Sequence, residues 1–353
     1  MDIAIAKRRI VPDWPGALAL LFTHQRNLGD RIPLTVSHAG RPIDLYCPRG
    51  HERGTVVFVH GMSSRGREDP RVRSLAWALA ATGRRVVVPE IPSIRRLTIR
   101  VDQPREVQAV LETIAADPAL VPAGRFALMA VSFSGVFALR AVCSKALGGR
   151  VNAACLIGGY FDIDTVISFL INSNRSDPYG RLLIARSYFT DIEPRGEAFH
   201  HHLDRCIECS TANQPGWSLR ELLDPAEPQQ QQLYQLLSEP AERQAFCRQV
   251  MAAFDDDWAD YRAPQEFGER RTPVFLLHGR GDRVIPAGES RRLARQLAEQ
   301  GVPCHLCVTR LLEHGDSAIS LYRLQELYRL LAGFAWFLGS CREPQTPRPA
   351  AAA

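Results

Sequence analysis

Lysine is almost missing from this sequence. Of 43 cationic side chains only Lys7 and Lys145 are lysines, and the rest are arginine. The cations are spread along the chain, giving a net charge of +5, with no basic stripe interleaved with aromatics. That argues against nucleic acid as a partner, and the arginine bias is read as coding preference. A long hydrophobic run is missing too. No segment approaches the roughly 20 apolar residues that cross a bilayer as a helix, so no stable membrane span is expected. The first 22 residues, MDIAIAKRRIVPDWPGALALLF, begin like a secretory leader, with Lys7, Arg8 and Arg9. Asp13 and two prolines then interrupt the stretch, GALALLF is short for a leader's apolar segment, and no small-residue cleavage site follows. A peripheral membrane contact by this segment is the residual alternative. Nine cysteines, an odd count, sit partly inside apolar runs, which reads as buried thiols in a reducing compartment. The expected location is cytoplasmic.

What is present is ordinary globular chemistry. The 353 residues are 46% hydrophobic and 23% charged, enough for one large α/β domain with an insertion, or for two domains. LTVSHA and PIDLYCP, with Gly40 and Arg41 between them, read as an opening hairpin. TVVFVHG (55–61), RRVVVPE (84–90), RFALMAVS (125–132) and AACLIGGYF (153–161) read as strands. Between them lie helical patterns that begin at Asp69-Pro70, where proline suits the first helical position, and over 102–118 and 134–149. The alternation stops after residue 162 and resumes with PVFLLHGR (273–280), a helix over 287–300, PCHLCVT (303–309) and a helix over 317–338. Near-continuous apolar strands alternating with helices predict a mostly parallel, doubly wound α/β sheet. The expected organisation is an N-terminal extension (1–33), a core in two pieces (34–162 and 271–341), a helical cap insertion (163–270) and a disordered tail (342–353). No internal repeat is present.

One strand ends on a serine. In RFALMAVSFSGVF, Ser132 follows an apolar strand and precedes a helix, with small Ala130 and Ser134 two residues to either side. A strand-to-helix turn tight enough to expose a nucleophile tolerates only small neighbours there. Centring the turn on Ser134 would put Val136 at such a position, so Ser132 is preferred. The alternative is a serine that merely caps the next helix. A serine hydroxyl needs a base within hydrogen-bond reach and an acid to orient that base. Asp282 lies on the loop past PVFLLHGR, and His314 on the loop past PCHLCVT.

VVFVHGM (56–62), AVSFSG (130–135), LLHGRGDRVIP (276–286) and EHGDS (313–317) occur in this order, each beside a predicted strand. On these motifs the chain resembles the α/β-hydrolase superfamily over about residues 34–340, apart from the cap. The resemblance implies Ser132 as nucleophile, Asp282 as acid and His314 as base. It also implies an oxyanion hole from the backbone N–H groups of Met62 and Phe133. No glycine run follows His60, so the HGGG lipase and esterase subgroup is not supported. Asp162, in GYFDID, is the alternative acid, and Asp316 reads as a helix cap. No metal or organic cofactor is implied.

Cys206 with Cys209, close to His200–His202, and Cys304 with Cys307 have ligand spacing. The second pair lies in a strand, where residues three apart point to opposite faces. DDDWAD (255–260) reads as a solvated acidic face, and Arg95, Arg96 and Arg100 as a surface loop. Phe169, Leu170, Tyr188, Phe199 and Trp217 read as cap core or as pocket lining. The expected function is hydrolysis of a carboxylic ester or thioester on a small-molecule acyl substrate. The alternatives are acyl transfer, amide or peptide cleavage by the same triad, or a non-catalytic ligand-binding member of the fold. An alcohol or amine that outcompetes water would separate transfer from hydrolysis. Oligomeric state is open.

Overall fold

A computed structural model of the chain describes residues 10–192, 196–212, 218–224, 226–254, 257–267, 271–312 and 324–341. Among these, eight strands form one sheet: β1 (Leu34–His38), β2 (Arg41–Tyr46), β3 (Thr55–Val59), β4 (Arg85–Pro89), β5 (Phe126–Val131), β6 (Val151–Ile157), β7 (Val274–Gly279) and β8 (Cys304–Thr309). Their order is β1-β2-β4-β3-β5-β6-β7-β8. The β1–β2 and β2–β4 pairs are antiparallel, and every other pair is parallel. The opening hairpin turns on Ala39 and Gly40, both at positive φ (49° and 74°), as a two-residue hairpin turn requires. Arg41, expected in the turn, is already paired with His38.

Both faces of the sheet are covered, because side chains alternate along a strand. In β3, Val57 and Val59 enter one apolar cluster while Val56 and Phe58 enter the other. In β5, Leu128 and Ala130 divide from Ala127 and Met129 in the same way. These eight side chains are all buried, and each large one stabilises the fold by roughly 1.5–3 kcal/mol. The same alternation separates Cys304, packed on the first cluster, from Cys307 in the second. All nine cysteines are free thiols.

Local chemistry sets the helix ends. Asp69 accepts from the Arg71 N–H and caps Pro70–Ala80, with Pro70 in the first turn. The helix expected over 134–149 ends earlier, at Cys143, because Ser144 is extended and its hydroxyl accepts the Leu147 N–H instead. The strand expected to reach Phe161 ends at Ile157, followed by Gly158 at φ 64°. The last helix runs Leu324–Ser340, and the start expected for it, residues 317–323, lies outside the described residues. So does the tail from 342.

Between β6 and β7 the chain forms helices Ile163–Asn172, Pro178–Ile192, Gly196–Ala212, Leu219–Leu222, Pro228–Ser238 and Pro240–Phe254. Leu170, Tyr188 and Phe199 are buried here, in the same cluster as one face of the sheet. Trp217 lies outside the described residues. The insertion is tied to the carboxyl edge of the sheet at several points. The Asp177 N–H donates to the Arg283 carbonyl (2.7 Å) and the Ile99 N–H to Ser187 Oγ (3.3 Å). Tyr261 donates its hydroxyl to Gln103 Oε1 (3.0 Å), and the Ala263 N–H bonds the Phe161 carbonyl (3.0 Å).

Candidate active site

The chain leaves β3 for β4 on one side and later returns to β5 on the other. Such a switch point opens a crevice at the carboxyl ends of the parallel strands. Ser132 stands there, directly after β5. Its φ is 56°, a left-handed conformation that costs a side-chain-bearing residue of order 1–3 kcal/mol and that clusters at functional sites. Ser132 is partly exposed. Ser134 differs: it is fully buried, and its hydroxyl donates to the His60 carbonyl at 2.6 Å. That bond pins the turn to the end of β3.

Gly61 faces the serine. A Cβ on Gly61 would lie 3.2 Å from the Val131 carbonyl oxygen and 3.5 Å from Ser132 Cβ, so the loop carrying Met62 passes directly over the end of β5. Phe133 follows the serine. Its ring is buried against Phe137, Tyr160 and Tyr261, with centroids 5.5, 6.1 and 5.6 Å away.

Asp282 lies past the end of β7. Its Oδ1 accepts the N–H groups of Val284 (2.8 Å) and Ile285 (2.9 Å). Its Oδ2 faces Gly158 at the end of β6, where a Cβ would approach to 3.5 Å. Among the described residues Oδ2 accepts no hydrogen bond; His278 Nε2 is 3.6 Å away. Asp162 is engaged otherwise. Its Oδ1 accepts from the Asp164 N–H (3.2 Å) and its Oδ2 from Thr165 Oγ1 (2.8 Å), which caps the helix Ile163–Asn172. His314 and Asp316 lie outside the described residues. His278 is buried, between Ser290 Oγ (2.6 Å) and the Ile285 carbonyl (2.8 Å), and burial pushes its pKa down.

With this geometry in hand, the sequence was compared with known proteins. The model of a family described as alpha/beta hydrolases matches residues 56–326. The chain belongs to the alpha/beta hydrolase family. No curated protein matches this member of the family in sequence. Solved structures similar to it include an acylaminoacyl peptidase in complex with Z-Gly-Gly-Phe-chloromethyl ketone (15% identity, TM-score 0.48, 84% of this chain and 40% of that one). Others are esterase 2 of Thermogutta terrifontis with propionate bound (13%, 0.48, 90% and 97%) and a soluble variant of monoglyceride lipase from Saccharomyces cerevisiae (12%, 0.45, 89% and 95%). The chain spans about two fifths of the acylaminoacyl peptidases it is similar to.

The alpha/beta hydrolase carries a buried ion network that the motifs do not announce. Glu90, at the end of β4, lies under the loop 61–69. Its Oε2 accepts from Arg95 Nη1 (3.0 Å) and lies 3.6 Å from Arg67 Nε, and its Oε1 is 3.6 Å from His60 Nε2. Arg67, within the loop and buried, also donates to Asp44 on β2. Arg95 reaches back to the Ser64 carbonyl (3.2 Å) and to Glu68 (3.1 Å). Gly66, at φ 51°, passes so close that a Cβ would lie 2.5 Å from Glu90 Oε1. Burial alone would raise the Glu90 pKa, but His60 and Arg95 hold it below the usual range. Burial raises Asp44 despite Thr35 and Arg67. In the same loop burial would also raise Asp69, yet Arg71 and Ser63 bring it down to about 2. The only sequence signal for this network was an acid closing a buried strand, in VVVPE. Of the three arginines read as a surface loop, Arg95 belongs to the network, while Arg100 pairs with Asp102 in solvent.

Among the described residues no group of three or more His, Cys, Asp or Glu side chains is arranged to hold a metal ion. A cleft of about 680 Å³ between the insertion helices is lined by Ser168, Asn172, Gln244, Cys247, Arg248 and Met251. It includes neither Ser132 nor Asp282.

Proposed function

We propose that this alpha/beta hydrolase is a serine hydrolase that cleaves a carboxylic ester or thioester through an acyl-enzyme on Ser132. The observation that carries this reading is the contrast within one turn. Ser132 is held at positive φ and partly exposed at the switch point, while Ser134 is buried with its hydroxyl committed to the His60 carbonyl.

In this reading His314 takes the proton from Ser132 Oγ as the oxygen attacks the carbonyl carbon. The carbonyl oxygen becomes an oxyanion and is met by the backbone N–H groups of Met62 and Phe133, each worth about 3 kcal/mol in such a site. Asp282 orients His314 and stabilises its charged form through Oδ2, since Oδ1 is already held by two turn amides. The intermediate collapses, the C–O or C–S bond breaks, and His314 returns its proton to the leaving alcohol or thiol. Water, deprotonated by the same histidine, then releases the acid. The insertion acts as a cap, with Tyr261 packed against the rings of Phe133 and Phe137.

The test is a panel of p-nitrophenyl esters and acyl thioesters of increasing chain length. Turnover is expected for part of the panel, with kcat/KM falling at least ~10³-fold in Ser132→Ala. Equal turnover by Ser132→Ala would overturn the reading. Adding an alcohol acceptor separates hydrolysis from transfer by the ratio of acid to new ester.

A further inference from the structure

The N-terminal helix Trp14–His24, WPGALALLFTH, has no charged residue before His24. One side buries Gly16, Ala17 and Leu20 against the body of the protein. The other side should be polar in a helix that faces only water. Here Trp14, Leu18 and Phe22, spaced four apart and so stacked on one face, are 37%, 43% and 64% exposed. The stripe continues onto the C-terminal helix. Trp14 stacks on Tyr328 with ring centroids 5.7 Å apart, and Tyr328 and Leu324 are 61% and 50% exposed.

The charges around the stripe are mostly basic. Arg26 and Arg31 follow the helix and are exposed, and the sequence places Lys7, Arg8 and Arg9 just ahead of it. Two acids lie between residues 10 and 31. Asp13 is buried against Arg84, which leaves Asp30 exposed. On the C-terminal helix Glu326 is engaged by Thr309 and the Arg310 N–H.

We propose that this face docks on a bilayer surface carrying anionic headgroups. The helix would lie in the interface plane, with Leu18 and Phe22 below the headgroups, the Trp14 and Tyr328 rings at their level, and Arg26 and Arg31 paired with lipid phosphates. The helix itself carries no charged face, so the basic residues that would meet anionic headgroups flank it, while exposed aromatic rings suit the headgroup level. The occupant is a lipid surface because apolar burial and charge complementarity are met together. The inference is independent of the reaction at Ser132.

Flotation of the full chain with vesicles tests it. Binding is expected to vesicles of phosphatidylcholine with 30% phosphatidylglycerol, to weaken with added salt, and to be much lower on phosphatidylcholine alone. Leu18→Glu with Phe22→Glu should lower the partition coefficient roughly tenfold or more, with the melting temperature and turnover of a soluble ester unchanged. Arg26→Ala with Arg31→Ala should weaken binding to the anionic vesicles and flatten its salt dependence. Failure of the wild type to float with anionic vesicles, or undiminished binding by the glutamate variant, overturns the proposal. So does a wild-type dimer that the glutamate variant dissociates while vesicles are ignored, which would assign the face to a second copy.

Discussion

Ser132 and Ser134 stand two residues apart and have opposite surroundings, and the carboxylates Asp282 and Asp162 repeat that contrast. Asp162 spends both oxygens on a helix start, whereas Asp282 holds one oxygen on turn amides and directs the other toward Gly158. The two acids should therefore respond differently. Asp282→Asn is expected to lower kcat/KM roughly 10³–10⁴-fold with little change in stability. Asp162→Ala is expected to cost about 1 kcal/mol of stability as a lost cap and to leave kcat/KM within about threefold. Chemical denaturation and steady-state kinetics on the two variants check this, and the reverse pattern would reassign the acid. The tight turn at Ser132 was legible in the sequence because such a turn dictates small neighbours. The different surroundings of the two acids were not legible, since both follow strands and the difference lies in their hydrogen bonds.

Among the elements, the loop 61–69 is held by buried ion pairs. Its Arg67 is buried between Asp44 and Glu90, and Gly66 leaves no room for a side chain over the Glu90 carboxylate. If the proposed oxyanion hole operates, Glu90 is expected to act as a positioning residue for the loop that carries the Met62 amide. Glu90→Gln leaves Arg67 and Arg95 short of an anion. It is expected to lower kcat for a p-nitrophenyl ester by roughly 10–100-fold with KM little changed, and to weaken a trifluoromethyl ketone inhibitor in parallel. If the variant loses only stability, while kcat per titrated active site holds, the network is purely structural. The sequence revealed the loop through its HG turn but not the network, because its members, Asp44, Arg67, Glu90 and Arg95, come from four separate places: β2, the loop, the end of β4 and the short helix Pro92–Arg95. Helix starts were legible where a side chain caps them, as at Asp69-Pro70. The early stop at Cys143 depends on one serine hydroxyl competing for a backbone bond.

For the molecule as a whole, the sheet was legible because each central strand is buried on both faces and reads as a short apolar run. The insertion was legible only as a break in that rhythm. Its docking joins a shared apolar cluster to single bonds such as Asp177 to Arg283 and Tyr261 to Gln103, and those bonds leave no pattern in the chain. Global stability should carry the mark of buried imidazoles. Burial depresses the pKa of His278 and of His305 below the ordinary 6.5. The unfolded chain then takes up protons that the folded one refuses. Stability is complete above about pH 6.5 and is lost as pH falls through the folded-state values. Melting temperatures between pH 8 and 5 should fall on the acid side, and less steeply in His278→Gln. Parallel curves for the two proteins would contradict this.

The central claim concerns one oxygen atom. The folded protein would be treated with a fluorophosphonate, weighed intact and mapped by peptide mass spectrometry. A single adduct on Ser132, absent from Ser132→Ala and from His314→Ala, is the predicted result. An adduct on Ser134, or none at all on the folded protein, would contradict the account.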